Sequence, residues 1–295
     1  DLKEDPLDFV LWKPKKEGEP FWKSPWCDGR PGWHIECSVM SKRYLGNTID
    51  IHAGGEDLIF PHHENEIAQS EAANGVPFAH YWMHNGFLNI DNRKMSKSLG
   101  NFLLVREILK RYNPDVLRFF MLSAQYRSPL NYSEELMESA KSGLERIRTC
   151  GDRLKDLIAN APAEQMSEDE DSLLDTTKEY VTDFENAMDD DFNTADAIAA
   201  IFELVKFANT KLDEDSSSEI LMNVYQKIER LLGVLGLEFT VEKEDVDQQI
   251  RDLIEKRQQA RKEKNFALAD QIRDELLAQG IELLDTREGV KWKRV

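Results

Sequence analysis

Cysteine is scarce in this sequence: Cys27, Cys37 and Cys150 are the three among 295 residues. Three cysteines are too few for a scaffold held by disulfides, and they are typical of a protein from a reducing compartment such as the cytoplasm. Runs of about 18 apolar residues are also lacking, which excludes a membrane-spanning helix. No charged and then apolar leader opens the chain, so we expect no signal peptide.

Basic residues are in short supply as well. The sequence has 38 Lys and Arg against 56 Asp and Glu, a formal net charge of −18, and this balance disfavours nucleic-acid binding, which relies on clustered Lys and Arg to release counterions. The deficit is local, however. Residues 151–250 hold 8 basic and 26 acidic side chains, whereas residues 1–150 hold 19 and 21, and residues 251–295 hold 11 and 9. The net charge of the whole chain therefore does not decide whether its nearly neutral flanks bind nucleic acid.

Residues 33–123 alternate between short β-type and helical patterns. The β-branched segment Thr48–His52 precedes two glycines, and the next residues predict a helix with Pro61 in its first turn and Asn74-Gly75 at its end. Apolar and aromatic residues from His80 to Ile90 predict a second strand. Strand, glycine loop and helix in this order predict an α/β fold with a mostly parallel, partial Rossmann-like sheet. Apolar residues at helical spacing predict two further helices, at residues 102–112 and 114–124.

Helical spacing continues through residues 131–236 and predicts an α-helical bundle, with the acidic, serine-rich connectors SEDEDS and DEDSSS between helices. From about residue 245 the pattern predicts two amphipathic helices, with basic residues from Lys256 to Lys264, and then a hairpin turning at Arg287-Glu288-Gly289. This small C-terminal α+β module completes the predicted fold class. A length of 295 residues suggests roughly two domains, but the patterns mark four segments: an extended connection with short strands over residues 1–32, then 33–128, 129–240 and 241–295.

The strongest local motif is KMSKSLGN, Lys94 to Asn101, between a predicted strand and a predicted helix. Mobile lysines such as Lys94 and Lys97 can neutralise a triphosphate and follow the charge that builds up during attack on its α-phosphate. Taken as composition alone, a solvated basic loop is the commoner explanation of such a segment.

A second group of residues has the chemistry of a metal site. His62 and Glu66 stand four apart on the predicted helix, so that both side chains point the same way, and Cys37 can add a thiolate. Thiolate, imidazole and carboxylate together suit zinc, and three protein ligands leave a position open for a substrate. Without other context, His62 and Glu66 more often form an ordinary helix start, and Cys37 can be a small buried hydrophobe.

Two weaker signals adjoin this group. In DIHAGGEDL, Gly54 and Gly55 follow a strand and Asp57 follows them, as at the edge where an open α/β sheet binds a nucleotide; a plain tight turn is the alternative. Trp33 precedes Cys37 by four residues. It can pack in the core, as most tryptophans do, or form an aromatic wall beside a small apolar or thiol-bearing substrate.

Taken together, the segments RPGWHIECS, DIHAGGEDLIFPHHENEIAQSEA, YWMHNGFLNIDNRKMSKSLGNF and PDVLRFFMLSAQYRSPLNYSEE resemble the cysteinyl-tRNA synthetases of class I in order and spacing. The tail ARKEKNFALADQIRDELLAQGIELLDTREGVKWKR is similar to that family's C-terminal tRNA-contacting module. The resemblance covers essentially the whole chain. It implies an ATP-dependent ligase that activates L-cysteine to cysteinyl-adenylate and transfers it to tRNA(Cys).

The resemblance also implies a zinc site. Cys37, His62 and Glu66 would bind a Zn²⁺ ion that ligates the substrate thiolate, and Trp33 would border the cysteine pocket. A thiolate binds zinc strongly and a hydroxyl binds it poorly, so this coordination can separate cysteine from serine without an editing domain.

For ATP, which would bind with Mg²⁺, the resemblance implies that Lys97, assisted by Lys94, stabilises the phosphates. Gly54, Gly55 and Asp57 would line the adenosine side. The four segments then become the end of a connective insertion, the second half of a Rossmann-like catalytic domain with its KMSKS loop, an anticodon-binding-type bundle, and the tRNA-contacting module.

One departure from the family concerns activity. The His-Ile-Gly-His-type signature of the first strand–helix turn is absent, and the family's first zinc cysteine lies in the same missing part. We expect this chain to be a C-terminal portion that does not form cysteinyl-adenylate alone. The alternatives are a non-catalytic tRNA-binding fragment and a cysteine:aminosugar ligase of mycothiol biosynthesis; the long helical region and the tail argue against the second.

Overall fold

The structure, a computed structural model, describes residues 3–95, 100, 102–162, 165–239, 246–262, 265–278, 281–286 and 289–294. It divides the chain into a first unit, residues 1–237, and a second unit, residues 238–295. Among the helices that it describes, none combines the length and the apolarity needed to cross a membrane.

The first unit begins with short strands and a parallel pair. Strands β1 (Trp12–Pro14) and β2 (Gly29–Pro31) are antiparallel, as expected of an extended connection with short strands. Helix α1 (Ile35–Leu45), strand β3 (Ile49–Gly55), helix α2 (Glu64–Asn74) and strand β4 (Ala79–Asn85) follow. Because β3 and β4 pair in parallel, from Ile49 opposite Ala79 to Gly55 opposite Asn85, the predicted α/β fold class is confirmed.

Helix α2 begins three residues after the predicted start. Phe60 has extended backbone angles (φ −128°, ψ 132°) within the wide turn Ile59–His63, and helical hydrogen bonds cannot continue through such a residue. Pro61 therefore precedes the helix. The predicted end is confirmed, because Gly75 adopts the left-handed conformation (φ 69°) that ends many helices.

The strand predicted over His80–Ile90 is two strands in different sheets. Strand β4 ends at Asn85, and β5 (Leu88–Ile90) pairs in parallel with β7 (Leu130–Tyr132) and antiparallel with β6 (Arg93–Lys94). The chain passes from one sheet to the other at Gly86. The N–H of Gly86 donates to Tyr126 O at 2.8 Å. A larger residue would not fit there, because a Cβ would lie 2.6 Å from the backbone of Ser128. The helix predicted over residues 102–112 shortens to α3 (Val105–Ile108), and α4 (Pro114–Leu122) matches its prediction.

Four helices form the predicted bundle: α5 (Glu134–Asn160), α6 (Glu168–Asp189), α7 (Thr194–Lys211) and α8 (Ser218–Val234). Their starts follow from local sequence, because side chains of Ser133, Ser167, Asn193 and Ser217 accept hydrogen bonds from backbone N–H groups of the first turns. The apolar stripe of α5 is fully buried and includes Met137, Leu144, Ile147 and Leu154.

The second unit contains helices α9 (Val246–Lys262) and α10 (Phe266–Ala278) and the antiparallel strands β8 (Ile281–Thr286) and β9 (Gly289–Arg294). Ile254, Ile272, Leu276 and Ile281 form its core. Two helices followed by a hairpin are as predicted. The turn residues 287–288 and the end of the basic segment, residues 263–264, lie outside the described residues.

Candidate functional site

One cavity of about 500 Å³ brings together the four residues predicted for zinc and substrate. Trp33, Cys37, His62 and Glu66 all line it, with His34 and His63. The side chains come from the start of α1, the turn before α2 and the first turn of α2. Residues 25 to 33 positions apart in the sequence therefore meet because α1 packs against α2, where Ser38 Oγ donates to Gln69 Oε1 at 3.1 Å.

His34 takes an unusual backbone conformation at the start of α1. Its φ of 71° is in the left-handed region, which non-glycine residues rarely adopt and which often marks a functional position. The imidazole Nε2 lies 2.9 Å from Nδ1 of His62. Burial, and then the neighbouring His62, lower the pKa of His34, so that His34 is neutral at pH 7 and orients the His62 ring.

Glu66 is the buried carboxylate of the site, with 5% of its surface exposed. Its Oε2 lies 3.0 Å from His52 Nε2, yet among the described residues no donor reaches this oxygen with hydrogen-bond geometry. A buried carboxylate oxygen without a donor is costly. Its surroundings therefore suit a bound cation.

Cys37 opens on the same cavity and has an exposed side chain. The pKa of its thiol is raised, first by partial burial and then by the negative charge of Glu66. The thiol is protonated at pH 7 in this environment, and metal binding would release its proton. Thiolate, imidazole and carboxylate on one cavity are a donor set that fits zinc.

Three further histidines extend the site: His63, which neighbours His62 in the sequence, and His52 and His84, which the sequence patterns did not indicate. His63 Nδ1 lies 2.8 Å from His84 Nε2, and the ring centroids of His52 and His63 are 4.6 Å apart. Burial, followed by the charges of His52 and His84, lowers the pKa of His63 to about 4. Together with His34 and His62, five of the six histidines in the sequence meet here. For His52 and His84, only their places on β3 and β4, which are neighbouring parallel strands, could have indicated this.

The donor atoms of His52, His63 and Glu66 all lie within 4.8 Å of one another, and among the described residues no other group of three meets that limit. Cys37, His62 and Glu66 line one cavity, but the donor atoms of these three residues do not all lie within 4.8 Å of one another. Two donor sets with Glu66 in common therefore adjoin each other in the structure.

The glycines predicted for the nucleotide side stand at the carboxyl end of β3, where open parallel sheets bind ligands. A Cβ on Gly54 would lie 2.9 Å from His63 Cε1 and from Leu58 Cδ1. A Cβ on Gly55 would lie 2.6 Å from Asp57 Oδ1. Gly54 thus allows close packing beside His63, and Gly55 allows it beside Asp57. A contact between Gly54, Gly55 or Asp57 and a nucleotide stays a prediction.

Trp33 is 72% exposed, so the alternative that it packs in the core is wrong. Its ring centroid lies 5.9 Å from that of His62, at the edge of the cavity. The two lysines cannot be compared in the same way. The backbone of Lys94 pairs with Asn89 in β6, but the side chain of Lys94 and all of Lys97 lie outside the described residues.

Comparisons with known proteins cover the whole chain. Residues 1–142 match the family "tRNA synthetases class I (C) catalytic domain", and residues 183–240 match the DALR domain. A cysteine–tRNA ligase of Lachnospira eligens is 66% identical over 294 residues, which is 100% of this chain and 62% of the relative. The enzyme of the same name from Lachnoclostridium phytofermentans is 60% identical over 300 residues, 100% of this chain and 64% of the relative. The chain thus spans about three fifths of the length of these relatives.

Two solved structures resemble the fold. A LeuRS–tRNA–LeuAMS ternary complex from Agrobacterium radiobacter K84 matches with a TM-score of 0.57 at 18% identity, over 72% of this chain and 32% of the other. A putative arginyl tRNA synthetase from Campylobacter jejuni matches with a TM-score of 0.51 at 14% identity, over 77% and 58%. At these identities the likeness concerns the fold alone.

Proposed function

Because the chain belongs to the cysteine–tRNA ligase family of class I aminoacyl-tRNA synthetases, we propose that it serves the ATP-dependent activation of L-cysteine and its transfer to tRNA(Cys). The observation that carries this proposal is the single cavity lined by Trp33, Cys37, His62 and Glu66. It holds a donor set for a thiol-binding metal beside an exposed aromatic ring, which is what a pocket for cysteine requires. A cytoplasmic location belongs to the same proposal.

Cys37, His62 and Glu66 would hold Zn²⁺ in this cavity. When bound, the ion supplies a Lewis acid that selects a thiolate over a hydroxyl. The shared cavity and the burial of the Glu66 carboxylate support this assignment. The contact of 2.9 Å between His34 Nε2 and His62 Nδ1, which holds the His62 ring, supports it as well.

The chain's other residues bind and orient the substrates. Trp33 closes one side of the amino-acid pocket with an aromatic face. Gly54 and Gly55 allow the backbone of β3 to approach the adenosine closely, and Asp57 accepts hydrogen bonds from its ribose. Lys97, with Lys94, neutralises the phosphates of ATP, which would bind with Mg²⁺, as the cysteine carboxylate attacks the α-phosphate.

We further propose that this polypeptide does not form cysteinyl-adenylate by itself. Ile51 and Tyr81, directly opposite each other on β3 and β4, are 56% and 69% exposed, although parallel sheets are normally covered on both faces. The His-Ile-Gly-His-type signature is also absent from the sequence. An apolar face of this kind needs further protein to cover it.

Cysteine-dependent ATP–pyrophosphate exchange tests this point. The purified chain, with its mass of 34.1 kDa verified, should show no exchange, whereas the Lachnospira eligens relative should exchange under the same conditions. Robust exchange by the 295-residue chain would contradict the proposal that this chain does not form cysteinyl-adenylate by itself. The same result would support the proposal that it activates cysteine.

A non-catalytic tRNA-binding protein is the second candidate, and the match of residues 183–240 to the DALR domain favours it. It requires that tRNA(Cys) binds to the chain while neither cysteine nor ATP does. Tryptophan fluorescence, with Trp33 at the cavity, separates the two candidates, because the ligase assignment requires a change on addition of cysteine and zinc. The aminosugar ligase would instead require charging of an aminosugar in place of tRNA.

A further inference from the structure

A groove between α6 and α8 has a composition unlike that of the helices that form it. Its cavity measures about 430 Å³, and three cations line it: Lys178, Lys227 and Arg230. None of the described residues that line the groove is acidic. Its remaining polar lining consists of Thr182, Asn223 and Gln226.

The surrounding sequence makes this convergence of cations notable. Residues 151–250 contain 8 basic and 26 acidic side chains, yet three of those eight basic residues face one groove. Like charges repel when they share a small site. The repulsion is relieved when an anion enters, so the arrangement matches an anion better than any neutral ligand.

A hydrogen bond to a buried side chain fixes the position of the Lys227 ammonium. Its Nζ donates to Thr177 Oγ1 at 2.5 Å, and Thr177, which is fully buried, in turn donates to Leu174 O at 2.6 Å. One of the three ammonium donors is used in this way. Burial, followed by the charges of Lys178 and Arg230, lowers the pKa of Lys227, although the carboxylate of Asp175 partly opposes this change.

The other two cations are paired only at the exposed rim. Lys178 Nζ lies 2.6 Å from Asp175 on its own helix, and an Arg230 nitrogen lies 3.7 Å from Glu185. All four of these side chains are more than 60% exposed. Exposed pairs of this kind contribute little to stability, so Lys178 and Arg230 can turn towards a ligand at small cost.

We propose that the α6–α8 groove binds a phosphate group. Lys227 provides the cation that is fixed in position. The exposed side chains of Lys178 and Arg230 turn towards the phosphate from the rim of the groove. The side-chain amides of Asn223 and Gln226 supply neutral hydrogen-bond donors. Several donors around one doubly charged oxyanion match phosphate better than a single carboxylate, which offers two oxygens. Free pyrophosphate and the backbone of an RNA share this chemistry. The site is remote in sequence from the cavity at α1 and α2 and does not depend on the proposed ligase activity.

Calorimetric titration of the purified 295-residue chain with inorganic pyrophosphate, at constant ionic strength, tests the proposal. Lys227→Met, Lys178→Met and Arg230→Met should each weaken binding about tenfold, the loss of one charge-assisted hydrogen bond. Lys206→Met is the matched control, since Lys206 is an exposed lysine of α7 that pairs with Glu203 at 3.0 Å, and it should bind as the wild type does.

A second arm identifies the source of the phosphate. A short RNA duplex replaces pyrophosphate, and RNA is the source if its affinity exceeds that of pyrophosphate and falls in the same three variants. Lys178 and Arg230 are exposed, so their variants remain informative even if Lys227→Met unfolds. The proposal is overturned if Lys178→Met and Arg230→Met bind both ligands as tightly as the wild type, if Lys206→Met weakens binding equally, or if the wild type binds neither ligand.

Discussion

His52 Nε2 lies 3.0 Å from Glu66 Oε2, and this carboxylate is shared by two sets of potential metal ligands. One set is the predicted trio of Cys37, His62 and Glu66. The other is His52, His63 and Glu66, which sequence patterns did not indicate. Because the sets differ in two residues each, substitution can separate them.

We expect zinc to be lost on Cys37→Ser and on His62→Ala, and to be retained in His52→Ala. Removing one of three ligands weakens metal binding strongly, whereas His52 only adjoins the carboxylate. Metal analysis after loading and desalting measures this, with the exposed His80→Ala as control, and cysteine affinity should fall in parallel with zinc content. Full zinc in Cys37→Ser together with loss in His52→Ala would move the site to the second set.

Gly54→Ala should destabilise the first unit by about 1–3 kcal/mol, because the new Cβ would overlap His63 and Leu58 in a packed region. Gly233→Ala is a matched control in the last turn of α8. A Cβ there meets nothing within 4 Å, so this substitution should not destabilise, and the higher helix propensity of alanine should stabilise by at most about 1 kcal/mol. Urea unfolding followed by circular dichroism measures both changes, and equal effects of the two substitutions would refute the packing argument.

The turn between α6 and α7 should make stability depend on pH through Asp191. Its carboxylate accepts hydrogen bonds from Arg127 and from Tyr126 Oη, the latter at 2.8 Å, and the hydrogen bond from Arg127 is the main cause of its lowered pKa. A lowered folded-state pKa stabilises fully above the unfolded value of about 3.9, and this contribution is lost as the pH falls through the folded value.

Asp191→Asn isolates this charge, because asparagine tolerates the left-handed backbone (φ 54°) of the position. The wild type should unfold at a higher urea concentration than Asp191→Asn at pH 7, and the difference should shrink as the pH falls below about 4. A difference that stays constant down to pH 3 would show that the carboxylate charge contributes nothing.

The bundle should respond most strongly on the buried stripe of α5. Ile147→Ala should cost about 2–5 kcal/mol, since the fully buried side chain leaves a cavity. Leu136→Ala on the same helix removes a side chain that is 43% exposed, and it should cost less than about 1 kcal/mol. The denaturation midpoints of the two variants, compared where their denaturant slopes (m values) are equal, show which substitution destabilises more. Similar losses of stability in both variants would contradict the assignment of Ile147 to the core.

Several features were predictable because they depend on neighbours along the chain. Helix starts at Ser133, Ser167 and Ser217 follow from side chains that cap their own first turns. The bundle follows from apolar spacing. By contrast, the turn between α6 and α7 interrupts a continuous helical pattern. The Asn193 side chain caps α7 locally, but the contacts of Asp191 with Tyr126 and Arg127 join residues more than 60 positions apart, which no local pattern indicates.

The candidate site divides in the same way. Sequence alone indicated that His62 and Glu66 lie close together with a cysteine and a tryptophan upstream, because four residues along a chain are a local separation. The helix on which both were predicted begins only at Glu64, so that His62 lies in the turn before it. Only the tertiary structure decided that His34, His52 and His84 join them. Their meeting depends on the register of β3 with β4 and on the packing of α1 against α2, which are long-range pairings that no local pattern encodes.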